Sequence, residues 1–364
     1  MSTCRQSIAV IAGDGIGQEV VPAALDCLRQ ISTIYALGLD FVDFDWGSGY
    51  YQKHGRMMPV DGLEQLSKHD AIFLGAVGIP SIPDAETLWG LLIPIRRYFE
   101  QYINLRPVKT LAGVESPLSS DRDIDFVIVR ENNEGEYSDI GGRQYRGLPQ
   151  EIAVQEAVFT RFGVARAAHF AAGLAASRGN RLTSATKSNG IVHTMPFWDE
   201  IVTETVSQFP SVALESVLID ALAARMVLKP WSFDVIVASN LFGDILSDLG
   251  GALTGSIGVA PSANLNPEKK HPSMFEPVHG SAPDIAGQGI ANPVGQIWTA
   301  VMMLEHLGHQ VAARHLAQAF ESTLADGTST RDLGGTASTA EFTQSVLRSI
   351  DVIADRSTAV TRQK

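Results

Sequence analysis

Short apolar runs that alternate with longer amphipathic stretches constrain this chain more than any other feature. Residues 8–12, 71–74, 126–129, 213–219 and 235–238 are apolar runs too short for helices, and they read as strands. Elsewhere the apolar spacing becomes helical. Val20, Val21, Ala24, Leu25, Leu28 and Ile31 predict a helix over residues 17–31. A second helix is expected over 161–177, where alanines permit close packing, and a third after Met195-Pro196, since a first turn tolerates proline. Residues 294–325 and the segment after Ala340 read as mostly helical, and the polar end from about 355 to 364 as frayed. Strands alternating with helices in this way predict an α/β protein.

The chain's 364 residues suffice for two domains or one large α/β unit, and no linker marks a boundary. With 45% hydrophobic and 19% charged residues, it has the composition of a soluble globular protein with a sizeable core. A formal charge of -12 argues against a nucleic-acid or anionic-membrane partner. Only Cys4 and Cys27 are present, which excludes a disulfide framework and a CxxC metal motif and fits a reducing compartment, the cytoplasm. The first apolar run is too short for a signal peptide, and no run approaches the roughly eighteen residues of a membrane span.

The run at 233–238 leads into Ser239-Asn240-Leu241-Phe242-Gly243-Asp244-Ile245-Leu246-Ser247-Asp248-Leu249-Gly250. If that segment is helical, Asp244 and Asp248 share a face, about 40° apart around the axis. Their charges repel, so a cation is expected between them, with a hard divalent metal as the leading candidate. The alternative is that both acids are capping or solvated.

Two glycine-rich segments invite a cofactor reading. Gly13-Asp14-Gly15-Ile16-Gly17 follows a strand, but its spacing is not G-x-G-x-x-G and no acid closes a second strand. A tight glycine turn that starts a helix is the better reading. The stronger segment is Phe275-Glu276-Pro277-Val278-His279-Gly280-Ser281-Ala282-Pro283-Asp284-Ile285-Ala286-Gly287. Small residues let backbone amides approach a phosphate, and Asp284 could accept both ribose hydroxyls while repelling a 2′-phosphate, which favours NAD over NADP. A structural loop with a helix N-cap at Ser281 or Asp284 fits the spacing equally well.

Arg96, Arg106 and Arg130 could bind a dicarboxylate through bidentate forks, or each could be a surface arginine. Arg130 stands out, because it follows a buried strand and opens the polar run Arg130-Glu131-Asn132-Asn133-Glu134-Gly135-Glu136-Tyr137. Tyr137 could serve as a general acid or merely pack. Lys187, in Thr186-Lys187-Ser188-Asn189-Gly190, could take a hydroxyl proton or be an ordinary loop lysine. Asp220 could supply a third metal carboxylate.

Taken together, these segments resemble the decarboxylating β-hydroxyacid dehydrogenases, the family of isopropylmalate and isocitrate dehydrogenases. The resemblance runs nearly end to end, and its most specific motifs are residues 240–250 and 276–293. Within the family the chain is most similar to the tartrate dehydrogenase and decarboxylating D-malate dehydrogenase branch. Leu88-Trp89-Gly90-Leu91, Gln101-Tyr102-Ile103-Asn104-Leu105-Arg106-Pro107-Val108 and Ser184-Ala185-Thr186-Lys187-Ser188-Asn189-Gly190 support that placement.

The resemblance implies a two-domain isopropylmalate dehydrogenase-like fold, a central mixed sheet flanked by helices rather than a Rossmann fold. It implies a discontinuous NAD-binding domain of residues 1–101 and 256–364, and a substrate and dimerisation domain of 102–255. By resemblance, Arg96, Arg106 and Arg130 bind the substrate carboxylates. Tyr137 is the acid, and Lys187 is the base or proton relay, reaching in from the second subunit of a homodimer. Asp220, also from that subunit, joins Asp244 and Asp248 around Mg²⁺ or Mn²⁺. His279, Gly280, Ser281, Ala282, Asp284, Ile285 and Asn292 line the NAD site, and a monovalent cation such as K⁺ is compatible with the family. The expected reaction is oxidation of D-malate or tartrates with metal-assisted decarboxylation. The alternatives are 3-isopropylmalate dehydrogenase and a catalytically silent subunit. One stretch departs from the isopropylmalate dehydrogenases: residues 86–96 cannot be laid residue for residue on their apolar substrate contacts, which leaves the role of Trp89 in the C3 pocket open.

Overall fold

The computed structural model describes residues 5–118 and 122–362. The first half of the chain runs β1 (Gln6–Gly13), α1 (Gly17–Tyr35), β2 (Leu39–Asp43), α2 (Ser48–His54), α3 (Gly62–Leu66), β3 (Ala71–Ala76) and α4 (Asp84–Thr87). A π-helical turn at Leu88–Leu92 leads to α5 (Ile93–Tyr98), β4 (Ile103–Lys109), β5 (Asp125–Glu131), β6 (Gly141–Gln144) and β7 (Ile152–Gln155). Next come α6 (Arg161–Ala176), β8 (Arg181–Thr186), α7 (Thr194–Val206), β9 (Ala213–Leu218), α8 (Ile219–Leu228), β10 (Val235–Ala238) and α9 (Asn240–Leu253). The last elements are β11 (Pro261–Leu265), β12 (Ser273–Pro277), α10 (Val294–His306), α11 (Gln310–Ala325) and α12 (Thr339–Arg362).

These elements form two compact units. One comprises Met1–Gln101, Thr110–Ser119 and Gly251–Lys364; the other comprises Tyr102–Lys109 and Ser120–Gly250. In the first unit the strand order is β2-β1-β3-β12-β11, parallel except for the β11–β12 pair. Every residue of β3 is buried, as expected of a parallel strand covered on both faces. Ile11, Leu74 and Met274 pack there with Trp46, Leu91 and Phe99. Helices α1, α10, α11 and α12 pack on one another through buried side chains such as Leu28, Phe320 and Phe342.

In the second unit the order is β4-β5-β10-β8-β9, with β4 antiparallel to β5 and the remaining pairs parallel. The predicted alanine-rich helix, α6, lies on β5, β10 and β8 and buries Ala167, Ala168, Ala171, Ala172 and Ala175. Helix α7 packs on α6, and its Trp198 indole donates to Ser184 Oγ at 3.0 Å. Strands β6 and β7 pair apart from the sheet as an antiparallel ribbon, every residue of which is exposed.

The five strands read from apolar runs are β1, β3, β5, β9 and β10. The stretch read as mostly helical over 294–325 comprises two helices, separated around Gly308 at φ 93°. Two helix expectations need correction. Helix α1 continues past Ile31 to Tyr35 and stops where Ala36 turns left-handed at φ 49°. The end expected to fray from about 355 is helical through Arg362.

Candidate active site

The second unit gathers its charges around α9. Strands β4 and β5 place Asn104 opposite Arg130, and Ala238 of β10 lies on the other side of Arg130. From β10 the chain enters α9, which passes Arg130 closely: a Cβ on Gly243 would lie 2.6 Å from Arg130 Cβ and Cγ. Arg130 Nη1 donates to Asp244 Oδ1 at 2.5 Å, while its Nε and Nη2 donate to Asn240 Oδ1 at 3.0 and 2.6 Å. The Tyr137 hydroxyl donates to Asp244 Oδ2 at 3.1 Å, and its ring centroid lies 5.6 Å from the Arg130 guanidinium carbon. Arg106 donates through Nε to Asn104 Oδ1 at 2.6 Å and through Nη1 to Ser247 Oγ at 2.5 Å.

Asp244 and Asp248 do share one face of a helix, but the cation between them is Arg106. Its Nη1 lies 3.3 Å from Asp244 and 3.6 Å from Asp248. Repulsion between the two acids therefore does not by itself require a metal. Both arginines are buried while the Asp248 side chain is 60% exposed, so the cluster opens to solvent at Asp248. Partial desolvation holds the Asp248 pKa above the usual carboxylate value, the Asp244 charge adds to this, and Arg106 and Arg130 oppose it.

Lys187 and Asp220 form a separate pair. Lys187 directly follows β8, Asp220 lies in the first turn of α8, and Nζ is 2.6 Å from Asp220 Oδ1. Hydrogen bonding to Lys187 lowers the Asp220 pKa below the usual range. Among the described residues, no three His, Cys, Asp or Glu side chains are placed to share a metal ion. One chain therefore supplies Asp244 and Asp248 as hard oxygen donors, suited in kind to a divalent cation, and leaves Asp220 elsewhere.

The first unit holds the remaining predicted residues. Gly13-Asp14-Gly15-Ile16-Gly17 is a structural turn. A Cβ on Gly15 would meet Ser281 O at 2.0 Å, and Ile16 N donates to that same oxygen at 2.9 Å. Asp14 is buried and accepts from Ser48 N, Ser48 Oγ and Gly78 N. The turn thus supports the His279–Ile285 segment. Within that segment Ala282 sits at φ 38°, a strained angle for a residue with a side chain, as is common at ligand sites. No helix begins at Ser281 or Asp284, so the N-cap reading fails; the next helix, α10, starts at Val294. The amides of Gly280, Ser281 and Ala282 donate to no acceptor among the described residues. His279 Nε2 is buried without a partner, and burial lowers the His279 pKa, which keeps the ring neutral. Open amides, an orphaned ring nitrogen and the exposed Asp284 carboxylate suit a phosphate- and ribose-bearing ligand.

Asn292 is already engaged. Its Oδ1 accepts from Val294 N at 3.0 Å, and its Nδ2 donates to Asp332 at 2.9 Å. Asp332 also accepts from Ser256 and Thr330. Sequence reading missed Asp332, which follows α11 in a short turn with no motif around it. It equally missed Asn104, Asn240 and Ser247, neutral residues that aim the two arginines. Arg96 lies on α5 with its Nη2 2.5 Å from Glu276 Oε1, which also accepts from Asn264 Nδ2 at 2.7 Å. Trp89 lies in the π-helical turn, half-buried, with the Arg97 guanidinium 4.9 Å from its ring centroid. That turn breaks the helical register ahead of Arg96, in the stretch that could not be matched residue for residue.

An α/β fold of this kind, with arginines and a tyrosine converging on helical aspartates, is that of a small-molecule enzyme rather than a binding module. Residues 7–346 match the isocitrate/isopropylmalate dehydrogenase family, and the chain belongs to it. It is an oxidoreductase, of the dehydrogenase/decarboxylase kind found in that family. It is 54% identical over 348 residues to a probable tartrate dehydrogenase/decarboxylase of Bacillus subtilis (strain 168), covering 95% of this chain and 98% of that one. It is 51% identical over 360 residues to the decarboxylating D-malate dehydrogenase of Escherichia coli (strain K12), covering 96% and 99%. Among solved structures, isocitrate dehydrogenase from Methylococcus capsulatus superposes with a TM-score of 0.86 at 32% identity, covering 95% of this chain and 99% of that one. No helix among the described residues is long and apolar enough to cross a membrane.

Proposed function

We propose that this protein is an NAD- and divalent-metal-dependent dehydrogenase that oxidises D-malate and tartrates at C2, decarboxylating D-malate to pyruvate and converting tartrates to oxaloglycolate or glycerate. The observation that carries this reading is the convergence of Arg106, Arg130 and Tyr137 on Asp244, one turn from Asp248. Such a site offers forked cations to carboxylates and a phenol to a nascent carbanion. The family generally uses NAD(P) and a divalent metal.

Arg96, Arg106 and Arg130 take the substrate carboxylates. Lys187 accepts the C2 hydroxyl proton as C2 loses hydride and becomes a carbonyl. The C3–C4 bond then breaks, CO₂ departs, and the electron pair remains as an enolate. Tyr137 donates its proton to C3 and completes pyruvate. When bound, Mg²⁺ or Mn²⁺ would supply Lewis-acid polarisation of the reacting oxygen, and NAD would supply the hydride acceptor. Asp244 and Asp248 of one chain, with Asp220 of a second copy, would hold the metal. His279, Gly280, Ser281, Ala282, Ile285 and Asn292 would line the NAD site, and Asp284 would take its ribose.

The reading includes a homodimer that shares its sites through the second unit. A two-stranded ribbon is unstable alone, yet this one exposes Tyr145, Leu148, Ile152 and Val154, as expected of a surface that meets another subunit. Cytoplasmic residence fits the free, buried Cys27. The test follows NADH production with Mn²⁺ and D-malate, L-tartrate or 3-isopropylmalate. Preference for either of the first two is expected. A clear preference for 3-isopropylmalate would replace this reading with the alternative of a larger C3 group.

A further inference from the structure

The run from Arg130 to Tyr137 carries three glutamates that the chemistry above does not use, and none of them is exposed. All three accept hydrogen bonds from backbone amides. Glu131 takes Asn133 N on both carboxylate oxygens at 3.1 Å and Glu134 N on Oε2 at 2.8 Å. Glu134 takes Thr160 N at 2.8 Å and Thr160 Oγ1 at 2.6 Å, at the N-cap of α6. Its carboxyl fills the space a Cβ on Gly163 would need, at 2.3 Å. Glu136 takes Leu241 N at 3.4 Å, in the first turn of α9. Between them Gly135, left-handed at φ 80°, bridges to Val158, so the segment curls tightly out of β5 before it reaches Tyr137.

Glu131 differs from the other two in being wholly buried, and like them it has no cation at ion-pair distance among the described residues. The charged groups facing it are Glu134 and Arg166. The Arg166 guanidinium is stacked on Tyr102 at 4.1 Å and Phe162 at 4.9 Å. We propose that Glu131 is a positioning residue: its carboxylate clamps the first turn of the curl and so sets where the Tyr137 hydroxyl meets Asp244. The proposal rests on the reading of Tyr137 as the acid.

The clamp has a chemical consequence. Burial pushes the Glu131 carboxyl up to about 7, with the Glu134 charge adding to this and the two amides and Arg166 opposing it. A carboxyl protonated on Oε1 keeps Oε2 as the acceptor of both amides, but it loses the charge that strengthens those two bonds, so the clamp slackens. Glu131→Gln is fixed in that neutral arrangement. Arg130 is held independently by Asn240, so carboxylate binding should hardly feel the change.

The experiment measures kcat and KM for D-malate from pH 6 to 8.5 in full-length wild-type enzyme, Glu131→Gln and Tyr137→Phe, with NAD and Mn²⁺. At pH 8.5 Glu131→Gln should turn over roughly tenfold more slowly with little change in KM. The two enzymes should converge as the pH falls to 6. A ratio near one at pH 8.5, or a reduced ratio that does not change with pH, overturns the proposal. If Tyr137→Phe turns over at the wild-type rate, the acid assignment itself fails; if Tyr137→Phe is slow while the Glu131→Gln ratio is flat, only the positioning role falls. Should Glu131→Gln not fold, carboxyl-¹³C glutamate NMR of the wild-type enzyme decides. A buried glutamate whose titration midpoint coincides with that of kcat supports the clamp. The absence of any such coincidence removes it.

Discussion

Lys187 Nζ and Asp220 Oδ1 are 2.6 Å apart, and among the described residues neither touches Tyr137, Asp244 or Asp248. Half-exposed ion pairs add little to folding stability, so stability does not explain the pairing. Under the proposed dimer, each active site draws Asp244 and Asp248 from one chain and Lys187 and Asp220 from the other. Asp220→Asn and Asp244→Asn should each be nearly inactive as a pure protein. Mixed and allowed to exchange subunits, they should regain up to about a quarter of wild-type activity, because each heterodimer rebuilds one intact site. No recovery, with subunit exchange confirmed by mass-tagged chains, would place all the groups of a site within one chain.

Arg96 shows why a substrate-binding arginine needs its own control. Its side chain is 12% exposed and its ionic partner Glu276 is 8% exposed, so the pair is nearly buried. Removing one member of such a pair leaves the other charged without compensation, at a cost of roughly 3 kcal/mol. Arg96→Met should therefore lose about that much stability in urea unfolding as well as raising KM for D-malate. Adding Glu276→Gln should restore much of the stability but not the KM. A double variant that recovers both would mean that Arg96 serves only Glu276.

The parts of this structure that could be read from sequence are those where burial leaves a periodic trace. Strands β3, β5 and β10 are covered on both faces and so appear as unbroken apolar runs. The alanines of α6 announced close packing for the same reason. The β6–β7 ribbon left no such trace because nothing among the described residues covers either of its faces. The π-helical turn at Leu88–Leu92 is a change in backbone hydrogen-bond register, to which side-chain pattern is blind. At the site, charged residues were found because like charges demand explanation. The supporting Asn104, Asn240, Ser247 and Asp332 were not, since one neutral or solitary polar residue resembles any other until its partner is known. Asp244 and Asp248 share a cation as their spacing predicts, and within one chain that cation is Arg106.

Asp284 gives the cleanest test of cofactor preference, because its exposed carboxylate has no side-chain partner to lose among the described residues. Asp284→Lys should leave the melting temperature near that of wild type. It should weaken NAD by roughly tenfold, about 1.4 kcal/mol, and narrow the gap between NAD and NADP, since a lysine cannot accept from ribose hydroxyls and attracts a 2′-phosphate. Fluorescence titration with both dinucleotides reads this directly. Unchanged NAD affinity would remove Asp284 from the ribose site.

Acid stability should depend on His306. This residue ends α10 with its ring centroid 5.5 Å from that of Phe275, and burial, reinforced by Lys269, pushes its pKa down to about 4. The unfolded chain binds a proton near pH 6.5, whereas the folded chain resists it until about pH 4. Above pH 6.5 both states are neutral and the residue contributes nothing to pH dependence. As pH falls through this window only the unfolded state gains the proton, so folding is progressively disfavoured. The loss is roughly 2 kcal/mol once the ring's remaining exposure is allowed for. His306→Gln should therefore lose less stability between pH 7.5 and pH 4.5 than wild type does, measured by urea unfolding at each pH. The slope that remains combines His69, His279, His309 and His315, whose pKa values burial lowers in the same direction, with Glu131, Glu136 and Glu305, whose pKa values burial raises and which act in the opposite sense. Equal losses in variant and wild type would show that His306 takes up its proton in the folded protein as readily as in the unfolded chain.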